Sequence, residues 1–284
     1  MSILQILFVV ILIMIKKEEK NTFDFVIIGG GITSAITAYY LKDLTNNILI
    51  IDNNYANTKA NVDSNTINYQ QVDIDLFDLN NEIGTESAIN MYEKSLEAIK
   101  DLNKICNKIN LNTHKCSYLY YTTEEREKDK IIEEYNEKKK AGFKTELIDN
   151  TDLINIKKGL LLKDNTIHIN TDYFIEKMFS YLSNNKISIS KHQNIKNITY
   201  KDGINYIIYQ DEVIQAKNII FADEVEMIKF YKNDFNLNYS FYIVSEPLNE
   251  NISFCTAKDT KNNYIKFTPD NKIILKRMRF NLYS

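Results

Sequence analysis

The stretch Asp24-Phe25-Val26-Ile27-Ile28-Gly29-Gly30-Gly31-Ile32-Thr33-Ser34-Ala35-Ile36-Thr37-Ala38 decides how this chain folds. Four apolar residues run without interruption into three glycines, and the chain holds only seven glycines among its 284 residues. Such a concentration marks a place where the backbone needs a conformation, or an approach distance, that a Cβ forbids. Beyond the glycines, Ile32 with Ile36 and Ala35 with Tyr39 recur at i, i+4, the spacing of a helix. A second apolar run, Ile48-Leu49-Ile50-Ile51, ends in Asp52, about 20 residues past the glycines. Strand, glycine turn, helix, strand and acid in this order predict a dinucleotide-binding βαβ unit. Its helix N-terminus would hold a pyrophosphate and its acid would accept from ribose hydroxyls. A βαβ unit with an ordinary tight turn is the competing reading. The third glycine position of G-x-G-x-x-G is Ser34, which is expected to cost some packing of helix on sheet while leaving the phosphate site. Gly29, Gly30, Gly31, Ile32, Thr33, Ser34, Asp52 and Asn53 are therefore candidate cofactor-binding residues.

Composition narrows the class. A net charge of -3 with 26% charged residues gives no basic field for nucleic acid. Only two prolines accompany the seven glycines, a scarcity that reads as coding bias. Cys106, Cys116 and Cys255 are odd in number and lack metal-ligand spacing, so they read as reduced, mostly buried thiols of a cytoplasmic protein. His114, His168 and His192 are scattered, no metal site is expected, and no catalytic residue can be nominated. Residues 3–15 are apolar except for Gln5, with Lys16-Lys17-Glu18-Glu19-Lys20 following. About 13 helical residues span only ~20 Å, short of a ~30 Å hydrocarbon core. Membrane association through this segment is the alternative to a cytoplasmic location. An upstream extension before a start at Met14 is the favoured account.

Past Asp52 the chain is polar as far as Asn65, then reads Thr66-Ile67-Asn68-Tyr69-Gln70-Gln71-Val72-Asp73. Here the sequence resembles the FAD-dependent oxidoreductases of the D-amino-acid oxidase and glycine oxidase superfamily. In that family a small-residue loop after the ribose acid wraps the flavin diphosphate. The resemblance implies FAD as cofactor, with Ser64, Asn65 and Thr66 in that loop. It also implies a backbone contact to adenine near Ile195, and a diphosphate contact at Ala222, where the family's Ala-Thr-Gly turn is replaced by Ala222-Asp223-Glu224. Two carboxylates beside a diphosphate would repel it.

Elsewhere the pattern is clear. Ile89, Tyr92, Leu96, Ile99, Leu102, Cys106 and Ile109 predict a long amphipathic helix. Ser117–Tyr121 reads as a strand, and the charged stretch 124–140 as a solvated surface helix without chemistry. Asn170 or Thr171 is expected to cap a helix with Phe174, Met178 and Leu182 on one face. Asp202-Gly203 predicts a type I′ hairpin, 212–216 a third meander strand, and 218–222 a separate buried strand. The strands 239–244, 253–257, 264–267 and 272–275 follow, with Arg277 and Arg279 in a solvated basic turn.

The expected fold is α/β: a Rossmann-like FAD-binding domain (βαβ, parallel sheet plus β-meander) with a second α+β substrate domain on a mostly antiparallel sheet. The predicted boundaries are residues 1–21 as an apolar segment with a charged linker, 22–85 and 155–226 as the FAD-binding domain, and 86–154 and 227–284 as the substrate-type domain. The resemblance implies oxidation of the CH–NH bond of a small-molecule amino acid or amine, with hydride transfer to flavin. Lys276-Arg277 stands where relatives carry a glycine pair, and relatives run on past the position of Ser284. That departure keeps open a truncated or degenerate flavoprotein with the fold but little catalysis. A membrane-tethered nucleotide-binding module, or NAD in place of FAD, completes the alternatives.

Overall fold

The runs 25–28 and 48–51 are apolar on both faces, which suits strands covered on both sides. The computed structural model describes residues 22–53, 74–151, 154–191, 194–209, 212–231, 238–248, 256–268 and 271–281. In chain order it begins with β1 (Thr22–Ile28), α1 (Ile32–Leu41), β2 (Ile48–Asp52), α2 (Leu76–Ile83), α3 (Thr85–Lys108) and β3 (His114–Thr122). Next come α4 (Lys128–Lys140), β4 (Thr145–Ile148), β5 (Lys158–His168), α5 (Thr171–Asn184), β6 (Ser188–Lys191), β7 (Ile195–Lys201) and β8 (Ile204–Tyr209). The chain ends with β9 (Glu212–Phe221), α6 (Glu224–Phe230), β10 (Asn238–Val244), β11 (Thr256–Asp259), β12 (Tyr264–Phe267) and β13 (Ile273–Asn281). These fall into two compact units, residues 1–60 with 175–235 and residues 61–174 with 236–284.

The first unit is a six-stranded sheet in the order β6-β2-β1-β9-β8-β7. β6, β2, β1 and β9 run parallel, and β8 and β7 complete an antiparallel meander. Val26, Ile28, Leu49 and Ile51 form one core with Ile195, Ile207, Ile214 and Ala216. Ile27 and Ile50 alternate to the other face, and α1 lies against β1 and β2 with Ala35 and Ala38 fully buried. Asp202 and Gly203 have φ of 52° and 83°, so the hairpin turn has positive φ at both central residues as predicted. The expected break between 216 and 218 does not occur. β9 is one ten-residue strand, held by β8 from Glu212 to Ala216 and by β1 from Gln215 to Phe221, so the two pairings overlap and leave no gap.

The second unit is a seven-stranded sheet, β10-β13-β12-β11-β3-β5-β4, antiparallel except for the β11–β3 pair. β5 pairs with β3 and β4 here, whereas the sequence reading assigned 155–226 to the nucleotide-binding domain. Arg277 and Arg279 lie in β13, in register with Phe241 and Ser240, and not in a turn. The pairing with β10 carries the strand to Asn281 across a bulge at Ser240/Phe241. Cys116 is disulfide-bonded and Cys106 is a buried free thiol, while Cys255 lies outside the described residues. The expectation of reduced thiols therefore fails at Cys116, because linear spacing says nothing about which strands meet.

The larger correction concerns α4. Ile131, Glu134 and Lys138 share one face, and all three are buried. Ile131 joins Tyr118, Tyr120, Leu160 and Leu162 in a core beneath the helix. Lys138 Nζ lies 3.1 Å from Glu134 Oε1 and 4.0 Å above the Tyr92 ring. Glu134 Oε2 accepts the Phe77 N–H at 2.9 Å, and Tyr92 Oη donates to the Ile74 carbonyl at 2.8 Å. Asp75, at the N-terminus of α2, accepts from Tyr120 Oη at 2.8 Å with Lys130 Nζ at 3.3 Å. This network of ion pairs and hydrogen bonds ties α2 to α3, α4 and β3. Burial lowers the pKa of the Lys138 ammonium, and the nearby Glu134 carboxylate opposes that shift.

Asn170 caps α5, its Oδ1 accepting from the Tyr173 N–H at 3.0 Å, and Phe174, Met178 and Leu182 are fully buried as expected. Among the described residues no helix is long and apolar enough to cross a membrane. Residues 3–15 lie outside them.

Candidate cofactor site

The site lies in the first unit, at the carboxyl ends of three adjacent parallel strands, β2, β1 and β9. That is where open α/β sheets bind ligands. Gly29 follows β1 with φ +128°, a conformation that side chains rarely adopt, and its N–H donates to the Ile51 carbonyl at 2.9 Å. A Cβ there would stand 3.0 Å from the Ala222 backbone and the Asp223 Cβ. Gly30 is tighter still, because a Cβ would meet the Asp52 carboxylate at 2.1–2.5 Å. Gly31 differs from both, with nothing within 4 Å of its Cβ position. Two glycines admit neighbouring protein and the third borders open space.

Gly31 is the N-cap of α1, with extended φ/ψ of -89° and -174°, and no side chain caps the helix. The first turn of α1, Ile32-Thr33-Ser34, holds no acid. Its N–H groups lack intrahelical acceptors by geometry, and they carry the positive end of the helix dipole. Ser34 is fully buried, and its Oγ donates to the Gly31 carbonyl at 3.0 Å. The serine thus satisfies its own hydroxyl within the turn.

Asp52 ends β2 with 7% exposure and its carboxylate against Gly30. Asn53 points elsewhere: its Nδ2 donates to Glu226 Oε1 at 2.6 Å. Lys229 Nζ approaches the same oxygen at 2.6 Å. The Ala222 N–H donates to the Ile28 carbonyl at 2.8 Å, which locks the end of β9 to the glycine turn. The Asp223 carboxylate caps α6, accepting from Val225 N at 2.8 Å and Glu226 N at 3.2 Å. Its charge therefore serves the N-terminus of α6. Ile195 opens β7 with its side chain in the core that includes Val26 and Ile51. Ser64, Asn65 and Thr66 lie outside the described residues. Sequence reading missed Glu226, although Asp223 followed three residues later by Glu is a helix-start signature. Among the described residues no cluster of His, Cys, Asp and Glu could hold a metal ion.

A family model described as "FAD dependent oxidoreductase" (DAO) matches residues 24–281. The chain belongs to this family. Solved structures agree in fold. L-proline dehydrogenase from P. horikoshii superposes with a TM-score of 0.73 at 12% identity, over 93% of this chain and 72% of that one. Glycine oxidase from Bacillus cereus gives 0.67 at 12% identity, over 92% and 73%. L-α-glycerophosphate oxidase from Mycoplasma pneumoniae, with FAD bound, gives 0.65 at 14% identity, over 92% and 72%. No curated protein sequence matches the chain.

The cofactor of this family is FAD, and the residues present fit its diphosphate. The open position at Gly31 and the uncapped first turn of α1 supply room and donors together.

Proposed function

We propose that this protein oxidises the CH–NH bond of an amino acid or amine in an FAD-dependent reaction. The carrying observation is the glycine turn, where Gly29 and Gly30 admit Ala222 and Asp52 while Gly31 leaves the helix N-terminus open. L-proline dehydrogenase and glycine oxidase, both named for amino-acid substrates, share the fold and support this substrate class.

In this reading the N–H groups of Ile32, Thr33 and Ser34 hold the diphosphate, and Asp52 accepts from the ribose. The backbone at Ala222 and Ile195 completes the cofactor's surroundings. Bound flavin supplies the acceptor for the electron pair of the broken C–H bond. The substrate nitrogen loses a proton, a C=N bond forms, and water hydrolyses the imine.

The test is direct. Purified protein should carry, or take up, a flavin whose visible absorbance bleaches on anaerobic addition of the right amino acid or amine. Colourless protein that binds no FAD at tens of micromolar would overturn the proposal. Yellow protein that no amino acid or amine bleaches would leave a flavin-binding protein without this chemistry.

A further inference from the structure

Glu226 stands out among the buried groups of the first unit. It is 2% exposed, and its two carboxylate oxygens are treated differently. Oε1 is crowded, taking the Asn53 amide and the Lys229 ammonium, each at 2.6 Å. Oε2 is buried with no hydrogen-bond partner among the described residues. A buried carboxylate oxygen without a donor is costly, so such an atom calls for a donor that the protein does not itself provide.

Its place in the fold narrows what that donor is. Glu226 follows β9 by five residues, and its partner Asn53 follows Asp52 at the end of β2. Asp52 ends β2 with its carboxylate against Gly30, and Asn53, the next residue, reaches Glu226. The two acids therefore both stand by the carboxyl end of β2. Lys229 offsets the charge of Glu226, so an anionic ligand nearby need not be expelled. Building on the FAD reading above, we infer that Glu226 is a second acceptor for the adenosine end of the cofactor. Its Oε2 receives an N–H or O–H from the adenosine, either the exocyclic amine or a ribose hydroxyl, while Asn53 holds the carboxylate in place.

The experiment compares wild type with Glu226→Gln by flavin-fluorescence quenching for FAD and by calorimetry for ADP, which carries the adenosine without flavin. Loss of a hydrogen bond to a charged acceptor is expected to weaken both about tenfold. Two analogues identify the donor: a flavin dinucleotide with hypoxanthine in place of adenine, and one lacking a ribose hydroxyl. The analogue without the donor should bind wild type more weakly than FAD, yet bind Glu226→Gln no more weakly than FAD does. Equal binding of FAD and ADP by variant and wild type overturns the inference. So does a variant that weakens every ligand equally and keeps the wild-type preference among analogues, since Glu226 would then be only a strut for Asn53. Should Glu226→Gln fail to fold, a wild type that binds both analogues as tightly as FAD overturns it. Wild type that binds ADP but not FAD refutes the cofactor reading alone, and the ADP comparison still decides the role of Glu226. Binding of neither ligand refutes both.

Discussion

The glycine turn in the first unit and the polar cluster under α4 in the second both take ionic groups out of water, by opposite means. Under α4 the charges are paired within the protein. Glu134 meets Lys138 and the Phe77 N–H, Asp75 meets Tyr120 and Lys130, and Tyr92 lies beneath the ammonium. Around the ends of β1 and β2 the protein stops short of self-satisfaction among the described residues: α1 has no side-chain cap, Gly31 faces open space, and Glu226 Oε2 has no donor. Polar groups left unanswered at neighbouring strand ends are what a ligand site looks like before its ligand arrives.

The sharpest way to break this contrast is to remove one partner of the buried ion pair. Glu134→Ala would leave the Lys138 ammonium buried beside Tyr92 without its counter-charge. A loss of about 3–5 kcal/mol is expected in urea unfolding, whereas FAD affinity of the folded fraction should stay within twofold. Next in size, Gly30→Ala drives a methyl into the Asp52 carboxylate. It should cost roughly 1–3 kcal/mol in stability and, unlike the first change, abolish flavin uptake measured by absorbance after dialysis.

The ammonium itself offers a pH test. Burial depresses the Lys138 pKa in the folded state, so the unfolded chain binds more protons between that value and the free-lysine value of 10.5. Stability must then rise with pH in that window, by at most about 1.4 kcal/mol per pH unit. Below the folded value the full penalty remains. The window closes near pH 10, where the hydroxyls of Tyr92, Tyr118 and Tyr120 pull the other way. Burial raises them far above their ordinary value, and the unfolded chain ionises first. Unfolding in urea from pH 7 to 10 should show an upward slope that Lys138→Met removes; equal slopes would refute the assignment. The smallest effect is expected at Asp223→Ala, which deletes the α6 cap for about 1 kcal/mol. Because Gly29 packs against residues 222 and 223, a modest loss of flavin affinity should accompany the fall in Tm.

Much of the first unit was legible because its signals are local. The glycines, Asp52 and the Asp202-Gly203 turn each declare themselves within a few residues, as does the Asn170 cap. The buried face of α4 was not legible, for a physical reason. Periodicity counts apolar residues, and here two of the three inward positions are Glu134 and Lys138, charges that only distant partners make bearable. Those partners, Phe77 and Tyr92, lie far away in sequence, so a run of charges reads as a wetted helix. Glu226 escaped notice likewise, since its partner Asn53 precedes it by 173 residues. The continuity of β9 was missed because the residues 216–218 change partner without changing conformation.

That continuity has a mechanical side. β9 is hydrogen-bonded to β8 along its first half and to β1 along its second, and it delivers Ala222 to the Ile28 carbonyl at the lip of the glycine turn. The outer hairpin of β7 and β8 is therefore joined to the same strand that meets the glycine turn. Fraying of β7 and β8 at the sheet's margin would reach the glycine turn as a loosened hinge.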